Sequence, residues 1–229
     1  MKFRINDIIK ITQSAIVSIL NPGRQREKLP KKESPRYPEV YVFRHGETYD
    51  NKNRVFSGWR DSKLTEKGKK QALALHKKLV DKKIDVCVVS RLSRSKNTAD
   101  IVFKGRKIKF ELDDRIIERD YGDLSGKSKE KLMEEKLVKA VKYRRFYDFC
   151  PPNGESLEDV KKRVFPFCRD LIKRIRKTGE NIAISCHGNS MKMIRFYFER
   201  LELVEAIIQE NPLGNDYAEY VITPRKRIV

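Results

Sequence analysis

Two short apolar runs, each ending in a histidine followed by a glycine, constrain the fold of this chain most. One run, residues 40–46, reads VYVFRHG, and the other, residues 182–188, reads IAISCHG. Short uninterrupted runs of β-branched and aromatic residues are typical of buried strands. The chain contains only three histidines, and His45 and His187 both follow such a run. The carboxyl end of a strand is where open α/β sheets bind ligands, so the sequence predicts one site that uses both rings.

The transition from strand to loop at Arg44 and His45 is expected to be abrupt. Neighbouring residues on a strand point to opposite faces, so the two side chains can serve one site only if the chain is already turning. Gly46 follows them, and glycine allows backbone conformations that other residues avoid. We therefore expect Gly46 to permit the turn.

Strands alternate with helical patterns along the rest of the chain. Thr65 is a predicted N-cap, and Ser156 with Asp159 forms a predicted capping box. Further strands are predicted at 85–90, 107–111 and 217–223, and helices at 65–80, from 91 onward, and at 128–149, 155–177, 190–200 and 203–210. This alternation indicates an α/β fold with a mostly parallel central sheet and helices on both faces.

The length and hydrophobic content predict a single catalytic domain with an N-terminal appendage. With 229 residues, 39% of them hydrophobic, the chain can bury one sizeable core. We place the catalytic domain at residues 39–229. Isoleucines at near-helical spacing in residues 1–20 predict an amphipathic helix, and Pro22 to Pro38 is expected to be a basic, extended linker.

Several roles for the N-terminal helix stay open from the sequence. It could pack on the body of the protein or on a sister subunit in a homo-oligomer. Alternatively, it could make a peripheral membrane contact or act as a targeting arm. The uncharged run from Ile11 to Gly23 contains polar residues and is shorter than the ~20 apolar residues of a membrane span.

Charge and cysteine content bound the function class. The formal net charge of +20 attracts small anionic substrates or polyanions. No zinc-finger or aromatic RNA-binding motif accompanies the basic residues, so no specific nucleic-acid partner is expected. The four cysteines are far apart and form no CxxC pair. This spacing argues against a zinc ribbon and a disulfide scaffold and favours the reducing cytoplasm.

Phosphoryl transfer is the chemistry that these residue types support. A neutral histidine can act as the nucleophile, and His45 is the candidate. Arg44 and Arg94 would hold the phosphate oxygens and lower the pKa of His45, because like charge disfavours the imidazolium. His187 would donate to the phosphoryl group, and Glu118 is the candidate proton carrier.

Five sequence motifs together resemble the histidine phosphatase superfamily and, within it, the cofactor-dependent phosphoglycerate mutases. The similarity covers about residues 39 to 223. The motifs are Arg44-His45-Gly46-Glu47-Thr48, Ser57-Gly58-Trp59, Ser90-x-Leu92-x-Arg94, Glu118-Arg119-x-Tyr121-Gly122-x-Leu124-x-Gly126 and His187-Gly188-Asn189-Ser190.

The resemblance implies a fold, a reaction and a set of site residues. It implies a phosphohistidine at His45, priming by 2,3-bisphosphoglycerate, no metal, and interconversion of 3-phosphoglycerate and 2-phosphoglycerate, which are small phosphorylated three-carbon acids. The implied catalytic residues are His45, Glu118, His187, Arg44 and Arg94, and the implied substrate-binding residues are Asn51, Ser57, Gly58, Arg119, Tyr121, Lys129, Arg144, Arg145, Gly188 and Asn189. A phosphatase of the same superfamily that hydrolyses small phosphomonoesters is the alternative. A basic binding module on a disused enzyme scaffold is a third possibility.

Overall fold

The computed structural model describes residues 3–20 and 28–224, and its centre is a five-stranded sheet. The strands are β1 (Glu39–Arg44), β2 (Val86–Val89), β3 (Lys109–Leu112), β4 (Ile182–Cys186) and β5 (Tyr217–Val221). Their order across the sheet is β3-β2-β4-β1-β5. The pairs β1–β4, β2–β4 and β2–β3 are parallel, and only β5 runs antiparallel to its neighbour β1. The predicted mostly parallel sheet is confirmed.

Helices cover both faces of this sheet, as predicted. The helices are α1 (Ile5–Leu20), α2 (Tyr49–Lys52), α3 (Glu66–Leu79), α4 (Ser93–Val102), α5 (Lys129–Arg145), α6 (Leu157–Thr178), α7 (Gly188–Glu199) and α8 (Leu203–Ile208). Alternate residues of β1 enter two separate cores, because successive side chains of a strand face opposite ways. Val40 and Val42 pack with residues of α6 and α7, whereas Tyr41 and Phe43 pack with residues of α3 and α4.

The predicted helix starts are largely correct, and the differences have local causes. The Thr65 hydroxyl caps α3 as predicted, and Ser156 with Asp159 forms the predicted capping box of α6. Helix α7 begins at Gly188, two residues earlier than predicted, because His187 itself is the N-cap. Helix α5 ends at Arg145 instead of residue 149 and is kinked at Lys136.

The N-terminal helix α1 packs one side on the body of the protein. Ile11 is fully buried in a cluster that includes Tyr147, Leu157 and Ile207, and α1 contacts both α5 and α8. Of the predicted alternatives, the structure therefore shows packing on the body of the protein for this side of α1. Ile5 and Ile9 remain exposed, and a membrane contact through them stays a prediction. Within the described residues, no helix combines the length and the apolarity needed to cross a membrane.

The segment that precedes β1 runs along the outer side of β5. Residues 22–27 of the predicted linker lie outside the described residues. Further along, the Glu219 amide donates to the Pro30 carbonyl (2.9 Å), and the Lys32 amide donates to the Glu219 carbonyl (3.2 Å). Leu29 is buried in the same core as Val40. Residues 29–32 are thus joined to the sheet by side-chain packing and by backbone hydrogen bonds.

Candidate active site

A polar pocket opens at the carboxyl ends of the parallel strands, and most of the predicted site residues line it. Its residues come from the end of β1, from α2 and the loop after it, from the loop before α5, from α5 itself, from the start of α7, and from the loop after α8. The lining residues are Arg44, Asn51, Ser57, Gly58, Glu118, Tyr121, Lys129, Arg144, Arg145, Gly188, Asn189, Lys192, Glu210 and Asn211. The prediction of one site at this edge of the sheet is consistent with this placement.

The two histidines lie beside each other next to the pocket. Their ring centroids are 5.2 Å apart, and both rings are buried. Each is adjacent in the chain to a lining residue, His45 to Arg44 and His187 to Gly188. The parallel pairing of β1 with β4, with Arg44 opposite Cys186, places both strand ends at the same level and so brings the rings together.

Hydrogen bonding defines the tautomer of His45. Its Nδ1 lies 2.7 Å from the carbonyl oxygen of Gly46, and a carbonyl can only accept, so Nδ1 carries the proton in the neutral ring. The remaining nitrogen, Nε2, then has an available lone pair. Burial, Arg94 and Arg44 hold the pKa of His45 well below its usual value. The predicted effect of the two arginines is confirmed, and burial is the larger cause. The ring is therefore neutral at neutral pH and can act as a nucleophile.

His187 lies at the N-terminus of α7, and its ring is held by Ser90. Its Nε2 lies 2.8 Å from the Ser90 hydroxyl, and that hydroxyl accepts from the Leu92 amide. Nδ1 is buried and has no partner among the described residues. An unpaired buried polar nitrogen is costly to a fold, which is consistent with a ligand bound beside the ring.

Arg94 fixes the loop that carries Ser57 and Gly58. Its side chain is 1% exposed, and its terminal nitrogens donate to the carbonyls of Gly58 (2.8 Å) and Arg60 (2.9 Å). Its Nε is buried without a partner in the described part of the chain. Arg94 thus contributes charge and one unused donor beside the histidines, and it also shapes the pocket wall.

Glu118 is held as a carboxylate at the N-terminus of α7. Its oxygens accept from the amides of Arg119 (2.8 Å), Gly188 (3.0 Å) and Asn189 (3.0 Å), and from the Asn189 side chain (3.1 Å). Burial alone would raise the pKa of Glu118, but Arg44 and these donors outweigh it and leave the pKa below its usual value. The group is ionised at neutral pH and can accept a proton from a substrate hydroxyl.

A second group of cations lines the same pocket. It consists of Lys129, Arg144, Arg145 and Lys192, and we call it the distal cluster. Burial, Arg144 and Arg44 lower the pKa of Lys129 to about 7. Such crowding of cations is unfavourable in the empty pocket and favours the binding of an anion.

Arg119 does not line the pocket, in contrast to the predicted substrate-binding role. Its guanidinium donates to the carbonyls of Glu155 (2.6 Å), Tyr143 (2.7 Å) and Phe149 (2.9 Å), and the side chain is fully buried. These bonds join the Glu118 loop to the end of α5 and to the turn after it. Arg119 therefore acts on the site through the position of its neighbours.

Three lining residues were not among the predicted ones: Lys192, Glu210 and Asn211. Lys192 interrupts the buried apolar side of α7, and its Nζ donates to the Ile207 carbonyl (2.9 Å). A lysine among Met191, Met193 and Ile194 was a usable signal, because unpaired lysines are rarely buried. Glu210 and Asn211 carry no such signal, since they follow α8 in a polar loop.

Close packing by neighbouring atoms, and not a left-handed turn, explains two glycines of the site. The φ angle of Gly46 is not positive, so the expected reason for this glycine is wrong. A side chain at Gly46 would lie 2.4 Å from the Gly68 carbonyl oxygen. A side chain at Gly188 would lie 3.3 Å from the guanidinium carbon of Arg44 and 3.4 Å from a Glu118 oxygen.

The residues of the pocket suit an anion. Within residues 3–20 and 28–224, no three histidine, cysteine, aspartate or glutamate side chains lie close enough together to hold a metal ion. A pocket rich in arginine and lysine binds phosphate and carboxylate groups through charge-assisted hydrogen bonds.

Comparisons with known proteins agree with this chemistry. Residues 40–213 match the family model of the histidine phosphatase superfamily (branch 1). The 2,3-bisphosphoglycerate-dependent phosphoglycerate mutase of Bartonella henselae is 36% identical over 181 residues, which cover 76% of this chain and 88% of that protein. The phosphoglycerate mutase of Schizosaccharomyces pombe is 35% identical over 187 residues, 77% of this chain and 87% of its own.

Solved structures share the fold. YhfR of Bacillus stearothermophilus superposes with a TM-score of 0.73 at 29% identity and covers 80% of this chain and 90% of its own. A mycobacterial glucosyl-3-phosphoglycerate phosphatase superposes with a TM-score of 0.72 at 21% identity and covers 80% of this chain and 90% of its own. The second similarity shows the fold alone.

Proposed function

Because this chain belongs to the histidine phosphatase superfamily, we propose that it interconverts 3-phosphoglycerate and 2-phosphoglycerate through a phosphohistidine on His45. The priming phosphoryl donor is 2,3-bisphosphoglycerate. The observation that carries the proposal is the distal cluster, which shares one pocket with Arg44 and Glu118. A phosphatase of small, otherwise uncharged phosphomonoesters needs cations only around the reacting phosphoryl group. A mutase must also hold the carboxylate and the second phosphate of its intermediate while that intermediate reorients.

In the priming step, the Nε2 lone pair of His45 attacks phosphorus and the bond from phosphorus to the substrate oxygen breaks. Arg44, Arg94 and the His187 ring hold the negative charge that spreads over the phosphoryl oxygens. Ionised Glu118 relays a proton from solvent water to the leaving oxygen, which becomes a hydroxyl.

In the mutase cycle the direction of proton transfer alternates at Glu118. Ionised Glu118 takes the proton of the 2-hydroxyl of 3-phosphoglycerate, and that oxygen attacks the phosphohistidine to give 2,3-bisphosphoglycerate. After the intermediate has reoriented, His45 takes the other phosphoryl group and Glu118 returns the proton to the released oxygen. The distal cluster supplies the binding energy that keeps the intermediate in the pocket between the two transfers.

An enolase-coupled assay tests this proposal directly. We expect conversion of 3-phosphoglycerate to 2-phosphoglycerate, faster with added 2,3-bisphosphoglycerate, with little release of inorganic phosphate. Arg144→Ala should lower the mutase rate about ten-fold to a hundred-fold, the value of one charge-assisted contact. It should lower the hydrolysis of p-nitrophenyl phosphate far less, because that ester has no second anionic group.

A matched control removes a cation from the same helix outside the pocket. Lys139 is exposed on α5 and does not line the pocket, so Lys139→Ala should change neither rate. If the wild-type protein mainly releases phosphate and Arg144→Ala behaves like Lys139→Ala, the protein is a phosphatase of small phosphomonoesters and not a mutase.

A further inference from the structure

Glu210 is a carboxylate inside an otherwise cationic part of the pocket. It lies at the beginning of the loop after α8 and forms an ion pair with Arg145 of the distal cluster. The Arg145 side chain is only 3% exposed, whereas that of Glu210 is 31% exposed. Burial and the neighbouring Arg144 hold the pKa of Arg145 well below its usual value. A counter-ion at this position therefore stabilises a guanidinium that is otherwise surrounded by cations.

The backbone around Glu210 is fixed from both sides. Before it, the Gln209 side chain donates to the Lys192 carbonyl (3.2 Å). After it, the Asn211 carbonyl accepts from Arg44 (3.2 Å), and the Asn211 side chain donates to the Gly188 carbonyl (3.3 Å). The Glu210 main chain is thus tied to the reacting end of the pocket. Its carboxylate can leave Arg145 by rotation of the side chain alone.

The Arg145 guanidinium retains an unused donor. Its Nε is buried and has no hydrogen-bond partner within the described residues. Because Glu210 occupies a terminal nitrogen, an anionic ligand that uses Arg145 either displaces the Glu210 carboxylate or lies against it. Both arrangements cost free energy, since one breaks an ion pair and the other brings two anions together.

We infer that Glu210 determines substrate specificity by competing, as an internal carboxylate, with the second anionic group of the substrate for Arg145. This inference rests on the proposed function, because it concerns the carboxylate-bearing end of a phosphorylated three-carbon acid. Glu210 weakens the binding of such acids and returns to Arg145 when the ligand leaves. It penalises an ester with an uncharged end much less, because that end does not need Arg145.

Two ligands that differ only in the carboxylate separate this role from a general effect. These are 3-phosphoglycerate and glycerol 3-phosphate, in which a hydroxymethyl group replaces the carboxylate. Binding is measured by titration calorimetry in a His45→Ala background, so that no turnover occurs. Glu210→Gln should raise the preference for 3-phosphoglycerate over glycerol 3-phosphate about ten-fold, the equivalent of one charge-assisted contact.

The control variant removes the same charge from an exposed position. Glu205 is exposed on α8, and Glu205→Gln should leave the preference unchanged. Glu210→Asn, which removes the same charge from a shorter side chain, replaces Glu210→Gln if that variant does not fold. A preference that stays within about two-fold of wild type or falls would overturn the inference. The inference would also be overturned if neither Glu210 variant binds 3-phosphoglycerate.

The two proposals fail separately. The coupled assay alone decides whether the protein is a mutase. The ligand preference requires no turnover, so it still decides the role of Glu210 if the protein proves to be a phosphatase.

Discussion

The lowered pKa of Lys129 predicts a pH dependence of substrate binding that titration of the histidines cannot produce. Its pKa is lowered to about 7, first by burial and then by Arg144 and Arg44. An anion in the pocket favours the charged amine, so binding raises this pKa and takes up a proton. The affinity for 3-phosphoglycerate should therefore fall as the pH rises through the pKa of the free protein.

The size of the fall follows from the fraction of Lys129 that is protonated. For a pKa of about 7, this fraction falls roughly fifty-fold between about pH 7 and about pH 9. One charge-assisted contact limits the effect to about ten-fold to a hundred-fold. We expect the dissociation constant to rise about ten-fold to fifty-fold over this range. The pKa values of His45 and His187 lie well below their usual values, so neither ring titrates there.

Calorimetric titration of His45→Ala protein at a series of pH values measures this effect. Lys129→Arg keeps its charge throughout and should bind with nearly constant affinity. Lys129→Met should bind weakly at every pH. The ligand phosphate, with a second pKa of about 6, is already ionised in this range. If the affinity of the Lys129→Arg protein falls with rising pH as much as that of the protein with Lys129, a different group titrates and the reasoning is refuted.

Three further perturbations test other parts of the structure. Gly188→Ala should lower kcat about ten-fold or more without a large change in Tm, because the new methyl group crowds Arg44. A normal kcat in steady-state assays would refute the close approach of Arg44 to Gly188. Ile11→Ala should lower the free energy of unfolding in urea by about 2–5 kcal/mol, because it leaves a cavity under α1. Ile9→Ala, at an exposed site, should lower it little. Equal losses of stability in the two variants would contradict the packing of α1. Labelled 2,3-bisphosphoglycerate should put acid-labile phosphate on the His45 nitrogen with chelator present, since guanidiniums supply the positive charge that stabilises the phosphoryl group. Label retained by the His45→Ala protein would contradict the proposal.

Local sequence patterns were enough to predict the sheet and the edge at which the pocket lies, and the family resemblance supplied most of the lining residues. The runs before His45 and His187 are apolar and short, so both strands and their shared edge followed from periodicity and from the geometry of parallel sheets. The caps at Thr65 and Ser156 followed from short-range hydrogen bonding, which depends on neighbours three residues away. These features depend on few residues and are little affected by the rest of the fold.

Features that depend on contacts between distant segments were not predictable. Arg119 has the residue type of a ligand-binding group, but three carbonyls from other segments occupy it. Glu210 was the last residue of a predicted helix, and only the fold places it against Arg145. Gly46 was explained by the wrong property of glycine, because the backbone that excludes a side chain there belongs to Gly68. Sequence patterns identify residue types, but they do not show which distant group each side chain meets.

The segment before β1 also bears on self-association. Residues 30–32 occupy both backbone groups of Glu219 on the outer side of β5, whereas the family match begins only at residue 40. A fragment cut to the family boundary would leave these groups unpaired and uncover the apolar surface beneath Leu29. An unpaired strand edge beside apolar surface is a template for the addition of strands from other molecules. Residues outside the matched region therefore protect the native sheet from intermolecular β-pairing.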